Sequence, residues 1–167
     1  AYILAMADKY VPGWRSRAPI SLPSTEALEK AYETAQLREV TPTAEALKRY
    51  QTKLGKALYG AAAGARPDLA YPVAVCARTA TYPTEGMEKC LDYVIVYAAQ
   101  TAKDGIRFTN DPDAKLHGSS DSDWHVSHST SAFVIMFGTA CVCYASKRQQ
   151  CIAMSSTEAE IIAASQA

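Results

Sequence analysis

Ser131-Ala132-Phe133-Val134-Ile135-Met136-Phe137-Gly138-Thr139-Ala140-Cys141-Val142-Cys143-Tyr144-Ala145-Ser146 decides the fold. Two runs rich in β-branched and aromatic residues flank a Gly-Thr pair, which reads as two strands joined by a tight hairpin. Working outward, residues 106–108 and 114–120 have the same strand character and are separated by the turn Asn110-Asp111-Pro112-Asp113. Downstream, Ser155-Ser156-Thr157-Glu158 has the Ser-x-x-Glu spacing of a capping box and opens a helix that runs toward Ala167.

Upstream of Lys103-Asp104-Gly105 the apolar period changes from two to three and four. Leu47, Tyr50, Leu54, Leu58 and Ala61 predict a helix over 43–63, closed by Gly64. Pro67 opens the next, with Leu69, Val73, Cys76 and Ala80 on one side; Pro72 demands a kink there or a start near Tyr71, because a proline inside a helix removes a backbone bond. A third helix from Thr84 to about 102 aligns Met87, Leu91, Val94 and Ala98. Tyr93, Ile95 and Tyr97 make it apolar on more than one face, so it is sandwiched or part of an interface. The first forty residues hold an apolar segment over 1–7, an irregular stretch with Pro12, Gly13, Pro19 and Pro23, and a helical run over 25–38 capped by Ser24 or Thr25. The fold class is therefore α+β, with a helical N-terminal part followed by three or four strands and one helix. The segments are 1–42, irregular and helical; 43–103, helical; and 104–167, strands plus the final helix.

A chain of 167 residues fits one ordinary domain or two small ones. With 49% hydrophobic and 20% charged residues it can bury a core and lies outside the composition of disordered chains. Seventeen basic groups balance seventeen acidic ones, which removes the bulk positive charge of a stand-alone nucleic-acid binder. Five cysteines are an odd set with no secretory leader before them, so the expectation is free thiols in an intracellular, reducing compartment. The apolar stretches fall far short of the roughly 20 residues of a membrane span, which argues against membrane insertion. Ala1 without a methionine, and a helix interrupted at Ala167, make both ends read as cut.

Two acidic pairs carry the candidate chemistry: Asp121 and Asp123 at a strand end, Glu158 and Glu160 at the start of the last helix. Carboxylates so placed can meet over one sheet edge and hold Mg²⁺, which takes one or two carboxylates plus waters and substrate phosphates. The chemical use is two-metal phosphodiester hydrolysis. Against it stands an ordinary solvated turn and an acidic helix start favoured by the helix dipole. His125, His128, Cys141 and Cys143 offer a zinc alternative, with both cysteines on one strand face. Structural zinc sites more often use wider Cys and His spacings, so buried free thiols and exposed imidazoles are the preferred reading. Tyr93, Tyr97 and Trp124 are read as packing residues rather than base-stacking ones.

The ordered runs Ser119 with Asp121-Ser122-Asp123-Trp124, Ser129-Thr130-Ser131, Ala145-Ser146-Lys147-Arg148-Gln149 and Ser155-Ser156-Thr157-Glu158-Ala159-Glu160 resemble the ribonuclease H region of copia-type retrotransposon polyproteins. Upstream, Tyr50-Gln51, Gly55-Lys56-Ala57-Leu58-Tyr59 and Ala65-Arg66-Pro67-Asp68-Leu69-Ala70-Tyr71 are similar to the segment joining reverse transcriptase to ribonuclease H. The resemblance covers about residues 43–167. It implies a reverse transcriptase thumb- or connection-like helical part over 43–103 and, over 104–167, the front of a ribonuclease H-like fold: an incomplete three-stranded sheet and one helix. Asp121 and Glu160 become the metal-binding and catalytic carboxylates of an incomplete site, and Lys147 and Arg148 the nucleic-acid-binding pair. Mg²⁺ would be the cofactor of a completed site, and an RNA/DNA hybrid the ancestral partner. Further acidic ligands follow this segment in the family, so the chain as given is expected to be inactive. Basic positions of the family's counterpart to helix 84–102 are here Asp92, Tyr93, Val96 and Ala99. That change implies weaker phosphate binding and extra apolar surface suited to a protein partner. Two readings result: a piece of the polyprotein, or an exapted remnant serving as a structural or interaction subunit of a larger assembly.

Overall fold

The computed structural model describes residues 2–124 and 128–167. Helices α1 (Tyr2–Tyr10), α2 (Glu26–Gln36), α3 (Ala44–Ala63), α4 (Ala70–Arg78) and α5 (Glu85–Gln100) precede strands β1 (Leu116–Asp123), β2 (Thr130–Phe137) and β3 (Ala140–Arg148), and α6 (Ser156–Ser165) follows. The protein is α+β. It divides into two compact units, Ala1–Gly105 and Ile106–Ala167. Among the described residues no helix is long and apolar enough to cross a membrane.

Unit 1 is built around α5, which packs against α1, α2, α3 and α4. Met87, Leu91, Val94, Ile95, Val96, Ala98 and Ala99 are all buried, which is the sandwiching that its two apolar faces predict. Val96 and Ala99 are therefore core positions rather than extra surface, and the first 42 residues supply α1 and α2 to the same core. Thr43 and Thr84 cap α3 and α5 by accepting hydrogen bonds from Ala46 N (3.2 Å) and Met87 N (3.3 Å). Thr25 occupies the cap position of α2, but its hydroxyl makes no capping bond. On α3 the buried stripe runs through Tyr50, Leu54, Ala57 and Ala61, whereas Leu58 is 42% exposed, because close approach to α1 selects the smaller Ala57 and Gly60. Gly64 closes α3 at φ −81°, and a side chain there would come within 2.2 Å of the Gly60 carbonyl; the left-handed step falls on Ala65 instead. Pro67 opens a short 3₁₀ turn and Pro72 lies in the first turn of α4, where the missing N–H has no helical partner to lose.

Polar groups fix the helix register. Tyr50 Oη donates to the Cys76 carbonyl (2.8 Å) and lies 3.1 Å from Thr79 Oγ1, wholly buried. Lys53, whose side chain is 5% exposed, donates to Asp92 (2.7 Å) and Glu88 (2.9 Å), and Arg49 grips Glu88 with two bonds of 2.8 Å. Buried Arg66 donates to Asp68, to the Thr101 hydroxyl and to the Ala98 and Thr101 carbonyls, which ends α5.

Unit 2 is an antiparallel sheet in the order β1-β2-β3, joined at Gly138-Thr139 with φ +58° on Gly138. Residues 106–108 are not a strand. α6 packs on β1 and β2. Its capping box is present: Ser155 Oγ accepts from Glu158 N (3.1 Å), while Glu158 reaches back to Met154 N (2.6 Å), one residue before the usual target. Among the described residues of unit 2, the buried hydrophobic side chains are Ala140, Ala153, Ala159 and Ala163; Phe133, Val134, Ile135 and Met136 stay half-buried.

Two outcomes are expected. Tyr50→Phe removes one buried hydrogen bond while the Thr79 hydroxyl still donates to the Cys76 carbonyl (3.0 Å), and should cost about 0.5–1.5 kcal/mol, read by urea denaturation. The Arg49 hydrogen bonds, opposed by burial and assisted by Lys53, hold the Glu88 carboxyl at about 2, below the ordinary 4.5. Stability from Glu88 is thus fully present above pH 4.5 and lost as pH falls toward about 2. Asp92, raised by burial, acts with the opposite sign. Denaturation midpoints measured across that interval should fall more gently for Glu88→Gln than for the parent; parallel curves would refute the assignment.

Candidate functional site

The site has to be built on β1, β3 and α6. Register pairs Asp121 with Ala132, and Ala132 in turn with Ser146. Ser120 and Ser122 belong to the alternate face, together with Ser131. Gln149, 2% exposed, identifies the face that carries α6: its Nε2 donates to Ser131 Oγ (2.9 Å) and to the Ala159 carbonyl (3.0 Å). Asp121 therefore projects from the opposite face of β1, exposed to solvent. Glu160 is exposed early in α6.

The four carboxylates separate by occupation. Asp123 Oδ1 accepts from Thr130 N and tidies the open end of the β1–β2 ladder, and Glu158 is engaged in the cap. Asp121 and Glu160 accept no hydrogen bond and join no ion pair among the described residues, which leaves two hard oxygen donors of the kind Mg²⁺ takes. No group of three or more His, Cys, Asp or Glu side chains gathers as a metal cluster among the described residues. Lys147 and Arg148 are exposed at the end of β3 and border an open cleft of about 470 Å³ with Ser131, Phe133, Ala145 and Gln166.

The zinc alternative loses its geometry. A register shift opposes Cys143 to Ile135 but Cys141 to Met136, successive residues of β2, so Cys141 and Cys143 do not share the face expected of regular alternation. All five cysteines are free; Cys76 is buried, Cys90 and Cys141 half-buried, Cys143 and Cys151 exposed. His128 is half-buried, not exposed, and His125 lies outside the described residues. Tyr97 is buried and Tyr93 half-buried with its hydroxyl on the Leu22 carbonyl, while half-exposed Trp124 donates to the Ala153 carbonyl (3.1 Å).

Gln149 is the bridging residue of this face. It was legible only as the end of the Lys147-Arg148-Gln149 run, since nothing in a single Gln signals burial between a strand and a helix.

The chain is 39% identical over 106 residues to Secreted RxLR effector protein 161 of Plasmopara viticola, a match covering 61% of this chain and 75% of that protein. It is 32% identical over 99 residues to the retrovirus-related Pol polyprotein from transposon RE1 of Arabidopsis thaliana, and 29% over 120 residues to that from transposon TNT 1-94 of Nicotiana tabacum. The chain belongs to the family of the Plasmopara protein, and its homologues include retrotransposon Pol polyproteins. It spans only 7% and 9% of the length of those two polyproteins. No family model and no solved structure matches it.

Gln149→Ala removes the side-chain bridge between Ser131 of β2 and Ala159 of α6. Hydrogen exchange at the amides of residues 159–163 should accelerate about five- to a hundredfold, the equivalent of about 1–3 kcal/mol; unchanged protection would show that α6 is held without it.

Proposed function

We propose that the chain is a fragment of the reverse transcriptase–ribonuclease H region of a copia-type Pol polyprotein, and that by itself it does not cleave RNA/DNA hybrids. The observation that carries this reading is the antiparallel β1-β2-β3 sheet with α6 packed on β1, presenting Asp121 and Glu160 as the two unengaged carboxylates of the four. Asp121 lies on the face of β1 away from α6, so the two carboxylates would hold Mg²⁺ together only where the completed protein brings them to one edge of the sheet; the metal would then supply an activated water and stabilise the leaving oxygen. Within the chain, Gln149 positions α6 and hence Glu160. Lys147 and Arg148 contact hybrid phosphates from the end of β3. Two carboxylates are fewer than the resemblance implies for a complete site, so the hybrid stays intact. The free thiols fit a reducing compartment.

A second reading is favoured by the interior of α5. Val96 and Ala99 are buried, and Asp92 is bound to Lys53, so these positions present no cations to a polyanion. On this reading the fragment now serves as an exapted structural or interaction subunit with a protein partner.

A single binding and cleavage series separates them. The first reading expects hybrid binding that weakens steeply with salt, with a slope reduced by about one on Lys147→Gln, and no product with Mg²⁺. Absence of binding at low salt sinks it in favour of the second. Mg²⁺-dependent cleavage abolished by Asp121→Asn would falsify the predicted inactivity.

A further inference from the structure

A cleft in unit 1 is used by neither reading. Leu4, Trp14, Ile20 and Ala99 line it with apolar surface, and Arg15, Arg17 and Lys103 line it with charge, around a volume of about 710 Å³. That is the size of an ordinary small-molecule site, and no acidic residue lines it.

The surroundings are arranged for an anion. Helix α5 ends here, and its free carbonyls would repel negative charge. Several are already occupied: Arg66 donates to the Ala98 (3.5 Å) and Thr101 (3.2 Å) carbonyls, Thr101 Oγ1 to the Tyr97 carbonyl (2.7 Å) and Ala102 N to the Ala99 carbonyl (3.4 Å). Gln100 fixes the wall. Its Oε1 accepts from Ile20 N (2.8 Å), and its Nε2 donates to the Arg17 (3.3 Å) and Ala18 (3.2 Å) carbonyls, so the backbone carrying Arg17 is held before any ligand arrives. Arg15 is paired with Asp8 and lies over the Trp14 ring, 4.5 Å from its centroid. Arg17, within electrostatic reach of Asp92, and Lys103 form no ion pair among the described residues and are the charges left for a ligand.

We propose that this cleft binds an amphipathic organic anion, its apolar body against Trp14, Leu4 and Ile20 and its phosphate, sulfonate or carboxylate at Arg17 and Lys103. The chain has two tryptophans, so Trp124→Phe leaves Trp14 as the reporter. Titrating that protein with anilinonaphthalene sulfonate should quench Trp14 saturably at one probe per chain. The affinity should fall severalfold from low salt to about 0.5 M, and Arg17→Glu with Lys103→Glu should weaken it by about tenfold or more. Reversal of Arg107, which does not line the cleft, should leave it unchanged. Urea midpoints report whether the double variant folds; if it does not, Arg17→Gln with Lys103→Gln replaces it, and the salt series on the unreversed chain stands regardless. Salt-independent binding, or equal affinity for the uncharged phenylnaphthylamine, overturns the proposal. Phosphatidylserine vesicles form the other arm. Quenching by the free probe alone assigns a soluble ligand, quenching by vesicles alone a lipid headgroup, and quenching by neither refutes the site.

Discussion

Lys53 is an ammonium with almost no access to water, and the helical unit is organised by the need to satisfy it. Taking such a charge out of solvent costs several kcal/mol unless opposite charges and good hydrogen-bond geometry replace the water. Asp92 and Glu88, one turn apart on α5, provide that replacement, and Arg49 completes it from the same side of α3. The pairing admits one rotation of α3 against α5. With that rotation set, Tyr50 reaches the end of α4, and the remaining faces of α5 are turned to α1, α2 and α4. Apolar burial provides most of the favourable free energy, while the ions choose among the ways of obtaining it.

At the other end of α5, Arg66 does comparable work with a guanidinium. A single side chain joins the 3₁₀ turn before α4 to the last turn of α5 through a carboxylate, a hydroxyl and two carbonyls. Its planar fork suits that mixture of acceptors, which a lysine could not satisfy from one position. Asp68 feels burial first, which raises its carboxyl, yet the hydrogen bonds from Arg66 and Tyr97 outweigh that and hold it below its usual value. Unit 2 has no equivalent anchor. Among the described residues its buried hydrophobic side chains are alanines, set beside buried Ser129, Thr130 and Ser131, and Gln149 bridges sheet to helix.

What could be read from the sequence was the part fixed by local chemistry. Thr43, Thr84 and Ser155 are hydroxyls beside free helical N–H groups, Gly138 is a residue that tolerates positive φ, and the apolar positions of α5 recur at both faces of one helix. The misread positions depend on what lies across the gap. Leu58 continues the helical stripe perfectly well, but the neighbouring helix comes close enough to prefer Ala57 and Gly60. Residues 106–108 have strand-forming side chains and pair with no strand among the described residues. Lys53 looks like any surface lysine on an amphipathic helix until its carboxylate partners, 35 and 39 residues away in the chain, are in place. For the candidate site, the sequence supplied Asp121 and Glu160 through their motifs, and the structure adds which carboxylates are already engaged.

The displaced register at Cys141–Cys143 bears on solubility. A three-stranded sheet has two open margins, each a template on which another copy could add a strand, and repeated addition leads to fibres. An extra residue in β3 twists that margin out of plane and interrupts its row of amides, so an incoming strand cannot stay in step along its length. On the β1 margin, Asp121 and Asp123 place negative charge along the strand. One backbone irregularity and two carboxylates thus oppose strand addition at the margins of the three described strands.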